Sequence, residues 1–175
     1  GGLNQTNLRS LMAFSSINHL GWILSSMMIS ESMWLTYFLF YIFLSLMIIS
    51  IFFNFKVYSF IQITSILNSS PMNKFILFSN LLSMGGLPPF LGFFPKLLVI
   101  QNLIFSNNLF LIFCMVMSTL ITLFFYIRIS FSSFMIMSIN FKWFKSNFMS
   151  SKTLYTMNSI SIFGLIFIIL FHAYL

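Results

Sequence analysis

Acidic side chains are almost absent from this sequence, and other functional residue types are scarce. Among its 175 residues, Glu31 is the only acid, Cys114 the only cysteine, and His19 and His172 the only histidines. One acid and two histidines cannot supply a nucleophile triad, and no Gly-rich phosphate loop follows a strand pattern. A disulfide framework is excluded, and the lack of a thiol or carboxylate cluster argues against a metal site. We expect Cys114, in an apolar segment, to be a small buried side chain.

Charged residues of both signs are too few to cover a water-facing surface. They make up 5% of the chain, against 59% hydrophobic residues, whereas a soluble domain carries roughly 25% charged residues. A helix needs about 20 apolar residues to span a bilayer. Five segments approach or exceed that length, so the sequence predicts an all-α, polytopic transmembrane bundle that forms a single membrane domain over 1–175. These segments are 8–29, 33–55, 73–105, 109–137 and 154–174.

The net charge of +7 reflects membrane topology rather than nucleic-acid binding, because the basic residues are scattered at segment ends without forming a patch. With five spans, all of the basic residues except Lys96 fall on one side of the membrane. Glu31 and the Asn107–Asn108 turn occupy the other side, a positive-inside pattern. A re-entrant hairpin at 73–105 would break the pattern, so we expect a single crossing there. The one-sided residues are Arg9, Lys56, Lys74, Arg128, Lys142, Lys145 and Lys152.

The third segment, 73–105, is too long for one straight span and carries helix-breaking residues. Glycine is flexible, and proline removes a backbone donor. We therefore predict a broken helix, interrupted between Gly85 and Pro89, although a tight loop between two shorter helices is the alternative. Carbonyls freed by the break would need water or side-chain partners, which predicts a polar seam. The residues assigned to this break are Gly85, Gly86, Pro88, Pro89 and Pro95.

Lys96 follows the break inside the same apolar segment. A lysine at the centre of a membrane helix costs about 2.5 kcal/mol or more. The stretch 97–105 would extend the helix by roughly 13 Å beyond it, which places Lys96 near mid-depth. Burial favours the neutral form of a lysine, so Lys96 is our candidate proton-relay residue. The alternative is a lysine whose ammonium snorkels to the interface.

His19 lies in the middle of the first segment and is the second candidate for proton relay. It shares a helix face with Ser15, and a packed histidine bonded to a neighbouring hydroxyl is the alternative. In the second segment, Trp34, Tyr37 and Tyr41 are typical of interfacial aromatics. The stretch 57–67 has a mixed pattern, and is either a surface-lying helix or an extension of the second segment.

The sequence favours residues with A/T-rich codons. Phe occurs 26 times and Met 13 times, while alanine occurs only at Ala13 and Ala173. Apolarity alone does not require that choice, because alanine also suits membranes. The composition indicates an A/T-rich organellar genome.

Two blocks carry a family resemblance. The stretches 1–6 (GGLNQT) and 11–22 (LMAFSSINHLGW), followed in order and spacing by 82–96 (LSMGGLPPFLGFFPK), resemble the mitochondrial NADH dehydrogenase subunit 2 family, the antiporter-like membrane subunits of respiratory complex I. The resemblance implies two inverted five-helix units, each with a broken helix. This chain is expected to be the second unit, with the N-terminal unit absent. In the family, the lysine of the broken helix lies on the central hydrophilic axis, a role that the resemblance carries to Lys96.

The implied function is proton translocation in the mitochondrial inner membrane, with basic loops in the matrix and the C-terminus in the intermembrane space. Expected partners are other complex I membrane subunits, the lipid bilayer, protons and water, and no nucleic acid. We expect no cofactor on this chain; NADH, FMN, iron–sulfur clusters and ubiquinone would be bound by other subunits. A free-standing cation/proton antiporter and a scaffold subunit without transport are the alternatives.

Overall fold

The chain folds into α-helices, as predicted. The computed structural model describes residues 1–60, 62, 63, 71–135, 156, 159–161 and 164, with side chains except at 71–74 and 132–135. Within these ranges the extended pairing is limited to one isolated bridge, Asn7 to Ser59. After a 3-10 turn at Gly2–Asn4, the helices are α1 (Leu8–Met27), α2 (Glu31–Phe55), α3 (Pro71–Gly85), α4 (Phe93–Phe105) and α5 (Leu109–Met135).

Two of these helices, α2 and α5, are long and apolar enough to cross a membrane. α1 has 20 residues, and the shorter α3 and α4 together replace the third predicted segment. Large apolar side chains lie on the outside of the bundle; Phe53, Phe105 and Phe110 are each at least 80% exposed. Such a surface suits lipid rather than water. Most of the fifth predicted segment, 154–174, lies outside the described residues, and its described positions are helical.

The halves of the broken helix pack at opposite ends of the bundle. α3 contributes to a core with the beginning of α1 and the ends of α2 and α5, through residues such as Leu81, Leu11 and Ile48. α4 contributes to a second core with the end of α1 and the beginnings of α2 and α5, where Val99 meets Trp22. A hairpin would return both halves to one end. The arrangement is that of a single interrupted crossing.

α2 ends at Phe55, so the predicted alternative of an extended second helix is wrong. Lys56 has a φ of 51° and stops the helix. The chain then pairs with the beginning of α1, where the Leu8 amide donates to the Tyr58 carbonyl at 3.0 Å. Residues 57–59 are not helical, and helical geometry resumes at residues 60, 62 and 63. Positions 61 and 64–67 lie outside the described residues, so a surface-lying helix over the rest of 57–67 stays a prediction.

Several basic side chains lie at the end of the bundle where α1 begins and α2 ends. Arg9 lies over the Tyr58 ring at 4.8 Å, and Arg128 donates to the Leu3 carbonyl. Lys56 caps α2 at the same end, whereas Lys142, Lys145 and Lys152 lie outside the described residues. Which side of the membrane this end faces stays a prediction. Cys114 is exposed on α5, so the expectation of a buried thiol is wrong; its side chain points outward from the bundle.

The helix breaks after Gly85, as predicted, and turns occupy 86–92. Pro95, assigned to the break from sequence, instead lies in the first turn of α4, where a helix needs no proline N–H. Gly92 lies against α3: a Cβ on Gly92 would clash with the Ser83 carbonyl oxygen. Position 92 therefore requires glycine because a side chain would clash with α3, and not because of a positive φ.

We expect Gly92→Ala to destabilise the protein by more than about 1 kcal/mol, because backbone cannot yield as a side chain can. Gly21→Ala is the matched control, since its new Cβ would meet only the end of the Met115 side chain at 3.4 Å. Thermal aggregation of the detergent-extracted protein measures both. Equal midpoints for the two variants would contradict the assigned contact.

Candidate functional site

Lys96, the fourth residue of α4, is buried and bonded across the helix break. Its side chain is 6% exposed. The Nζ donates to the Gly85 carbonyl at 2.9 Å and to the Met84 carbonyl at 3.1 Å. The ammonium therefore turns inward to the end of α3. Snorkelling to the interface, the alternative reading of this lysine, does not describe its position in the bundle.

The end of α3 explains why two carbonyls are available to Lys96. Gly86 has a φ of 81° and donates to the Ser83 carbonyl at 3.0 Å, while Leu87 donates to the Leu82 carbonyl at 3.3 Å. This pair of bonds is a Schellman motif, which closes a helix and pairs the carbonyls of its last turn. The two carbonyls that come next, from Met84 and Gly85, accept from Lys96. The negative end of the α3 dipole also favours a cation here.

Backbone dipoles, rather than a carboxylate of this chain, meet the Lys96 charge. The only acid in the sequence, Glu31, is exposed in the first turn of α2. On another side of the ammonium, the Trp22 ring centroid lies 6.0 Å from Nζ, within the range of a cation–π interaction. Lys96 is thus held by weakly basic groups that do not compete for its proton.

His19 lies in the same buried layer as Trp22. Its Nδ1 shares a hydrogen bond of 3.1 Å with the Tyr37 hydroxyl, and its ring packs on Tyr41 with centroids 4.8 Å apart. His19 and Lys96 also interact electrostatically. The hydroxyl partner of His19 is thus on α2. Ser15, on the same face of α1, instead donates to the Met12 carbonyl at 2.7 Å, because a helical serine readily bonds to a carbonyl of the preceding turn.

Tyr37 was predicted as an interfacial aromatic, and that prediction is wrong. The side chain is only 2% exposed. Its ring stacks on Trp22 with an interplanar angle of 2°, and its hydroxyl reaches His19. Tyr37 therefore contacts both His19 and the Trp22 ring that faces Lys96. Its position near a helix end gave no sequence signal of burial.

A second polar group, around Asn80 of α3, ties the break to the last described segment. The Asn80 Nδ2 donates to the Ile76 carbonyl at 3.0 Å, and its Oδ1 accepts from the Ser161 hydroxyl at 3.0 Å. The Ser161 carbonyl in turn accepts from the Leu91 amide, in the break, at 3.3 Å. Asn80 was missed from sequence, although an amide in the apolar stretch 75–84 was a signal for it.

Asn18 links α1 to α5 beside His19. Its Nδ2 donates to Thr122 at 3.3 Å, and its Oδ1 accepts from Ser118 at 2.9 Å. Polar groups on α1, α3, α4 and α5 thus lie inside an otherwise apolar bundle. The predicted need of the freed carbonyls for side-chain partners is met at Met84 and Gly85 by Lys96 itself; a continuous polar seam next to Lys96 stays a prediction.

Comparisons with known proteins place this geometry in a family. Residues 1–122, which include His19, the break and Lys96, match the model described as "NADH:quinone oxidoreductase/Mrp antiporter, TM". NADH-ubiquinone oxidoreductase chain 2 of Aedes aegypti is 54% identical over 175 residues, 98% of this chain and 51% of that protein. The Anopheles gambiae protein of the same name is 53% identical, over 96% of this chain and 50% of its own length.

A third relative, NADH-ubiquinone oxidoreductase chain 2 of Anopheles albimanus, is 53% identical over 93% of this chain and 97% of its own length. The chain spans about half the length of the first two relatives. The family match covers α1 to α4 and the first part of α5. The chain therefore belongs to the NADH:quinone oxidoreductase/Mrp antiporter transmembrane family.

Proposed function

We propose that this chain is part of a proton-translocating membrane subunit of the respiratory NADH:ubiquinone oxidoreductase, and that Lys96 carries the proton through the break between α3 and α4. The observation that supports this most is the buried Lys96 ammonium bonded to the Met84 and Gly85 carbonyls. In this proposal the chain is the second five-helix unit of the subunit, and the first unit precedes it.

Lys96 suits proton exchange because its charge is only partly compensated. A buried ammonium without a carboxylate is costly, while carbonyl acceptors and a helix C-terminus offset part of that cost. A small change in nearby charge or hydration then changes its protonation state. The proton leaves Nζ as the amine forms, and a proton arriving at the amine lone pair restores the ammonium.

His19 is the proposed next group along the route. Its Nδ1 bond to the Tyr37 hydroxyl fixes the ring orientation, which leaves Nε2 as the second exchange position. Both groups contact the stacked Trp22 and Tyr37 rings, and two positive charges in one buried layer repel each other. A proton is therefore held more readily by one of them than by both at once.

We further propose that the chain resides in the mitochondrial inner membrane, with the end that carries Arg9, Lys56 and Arg128 in the matrix and the C-terminus in the intermembrane space. Its partners would be other complex I membrane subunits, lipid, water and protons. NADH, FMN, the iron–sulfur clusters and ubiquinone would be bound elsewhere in that assembly.

A free-standing cation/proton antiporter is the second candidate, because the family description includes the Mrp antiporters. The names of the three relatives favour the oxidoreductase. Purification of the intact protein from its membrane decides between them: the oxidoreductase predicts co-purification with NADH-oxidising subunits, and the antiporter predicts none. A non-transporting scaffold is the third candidate, and the Lys96 variants below address it.

We expect Lys96→Met to reduce proton translocation by about tenfold or more with normal subunit content, because methionine keeps much of the volume but cannot titrate. Lys96→Arg should rescue poorly, since arginine keeps its proton. Proton uptake driven by NADH oxidation in membrane vesicles measures both. Full translocation in the methionine variant would favour the scaffold.

The His19→Gln variant distinguishes a proton-relay role of His19 from a packing role. Glutamine can keep a hydrogen bond to Tyr37 but cannot take up a proton at neutral pH, so a relay role predicts several-fold slower proton uptake with unchanged assembly. His19→Phe is the companion variant that keeps ring volume and removes the bond. If glutamine is fully active and phenylalanine is impaired, His19 only packs.

Cysteine labelling tests the proposed orientation. We replace Cys114 with serine and introduce Lys142→Cys or Asn108→Cys; Asn108 is chosen because its neighbour Asn107 has a φ of 58° that strains most substitutes. A membrane-impermeant thiol reagent applied from the intermembrane-space side should label position 108 and leave position 142 unlabelled until the membrane is opened. Labelling of both from one side would contradict the five-span topology.

A further inference from the structure

The spacing between the Lys96 acceptors and the two prolines of the break is four residues. In an α-helix the N–H of residue i+4 bonds to the carbonyl of residue i. The helical donors for the Met84 and Gly85 carbonyls would therefore be the amides of residues 88 and 89. Both positions are proline, which has no N–H and whose ring clashes with the carbonyl four residues earlier. The two carbonyls that bind Lys96 are those that the prolines deprive of donors.

We propose that Pro88 and Pro89 are positioning residues for Lys96: they keep α3 from extending over its last carbonyls and so create a two-acceptor cradle for the Lys96 nitrogen. This inference rests on the proposed proton relay and goes beyond it, because it assigns to the prolines an effect on the titrating group in addition to breaking the helix.

The donor inventory of lysine explains what the cradle does. An ammonium has three N–H bonds and an amine has two with one lone pair. Two N–H bonds are directed to the Met84 and Gly85 carbonyls, so both bonds can persist when the third proton leaves. The nitrogen is thereby held in place through the exchange, and the third position, directed away from both carbonyls, is where a proton departs and returns.

Gly86 completes the cradle through its lack of a side chain. A Cβ on Gly86 would lie 2.8 Å from the Lys96 Cδ and 2.9 Å from its Nζ. The positive φ of Gly86 also forms the Schellman turn that ends α3. The chain thus turns away at Gly86 and leaves room for the lysine against the exposed carbonyls.

Other titratable groups of the same buried layer must be held constant in a pH experiment. They are His19 on α1, Tyr37 and Tyr41 on α2, and Tyr126 on α5, whose electrostatic interactions connect the layer. None of them is changed by substitution at the prolines. A shift of the pH profile in a proline variant can then be assigned by comparison with the control below.

The test uses Pro88→Ala, Pro89→Ala and the double variant in the intact enzyme. Each alanine restores one N–H that can compete with Lys96 for a carbonyl once α3 extends through Gly86, which can also adopt helical φ. Pro95→Ala is the matched control, because Pro95 lies in the first turn of α4, where an added N–H has no helical acceptor. NADH-driven proton uptake is measured across pH, together with subunit content.

We expect the alkaline decline of proton uptake in the double variant to begin about one pH unit lower than in the parent, because a charge-assisted bond that stabilises the ammonium is weakened. Smaller shifts are expected in the single variants, and none in Pro95→Ala. If the double variant fails to assemble, Pro89→Ala alone is decisive, and a parental pH profile in it overturns the proposal.

The outcomes separate this inference from the proposed function. A Lys96→Met variant with full proton uptake would refute the relay itself. Loss of uptake in Lys96→Met, together with parental pH profiles in the assembled proline variants, would refute only the cradle. Equal shifts in Pro95→Ala and Pro89→Ala would also overturn it, because the effect would then come from loop stiffness rather than from the restored donors.

Discussion

The pairing of the Lys96 ammonium with the last carbonyls of α3 is the interaction on which the described structure depends. Backbone carbonyls inside an apolar bundle need donors, and each one left unpaired costs about 1–3 kcal/mol. A buried lysine without acceptors costs about 2.5 kcal/mol or more. The helix break leaves two carbonyls without donors, and Lys96 brings a buried ammonium that needs acceptors. The bonds at 2.9 and 3.1 Å satisfy both sets of groups.

The break keeps its shape because backbone contacts on several sides hold it. Gly92 approaches the Ser83 carbonyl more closely than any side chain allows, and Leu91 donates to the Ser161 carbonyl. α3 and α4 each pack into a different apolar core. The packing of α3 and α4 at opposite ends of the bundle therefore fixes the position of Lys96, although the two helices are not continuous.

The layer around Lys96 combines two titratable groups, Lys96 and His19, with aromatic and amide side chains that connect the helices. Trp22 and Tyr37 stack; Trp22 faces the Lys96 ammonium and Tyr37 bonds to His19. Asn18 joins α1 to α5. Buried polar groups are tolerated where they find partners, as Asn18, His19 and Lys96 do. The layer extends across the bundle from α5 through α1 to α4.

The sequence by itself determined the helical membrane class, the interruption after Gly85 and the presence of a lysine within an apolar segment beside it. These follow from local physics: apolar length sets a span, proline and glycine end a helix, and a charge in an apolar run stands out. The sequence did not determine what Lys96 bonds to. Its acceptors are carbonyls eleven and twelve residues earlier, and whether the side chain reaches them depends on how the chain turns at the break. Only the tertiary structure buried Tyr37, made its hydroxyl the partner of His19, and turned Cys114 outward. Those outcomes depend on which face of each helix meets a neighbour, and in a membrane sequence the faces differ too little in hydrophobicity to reveal it.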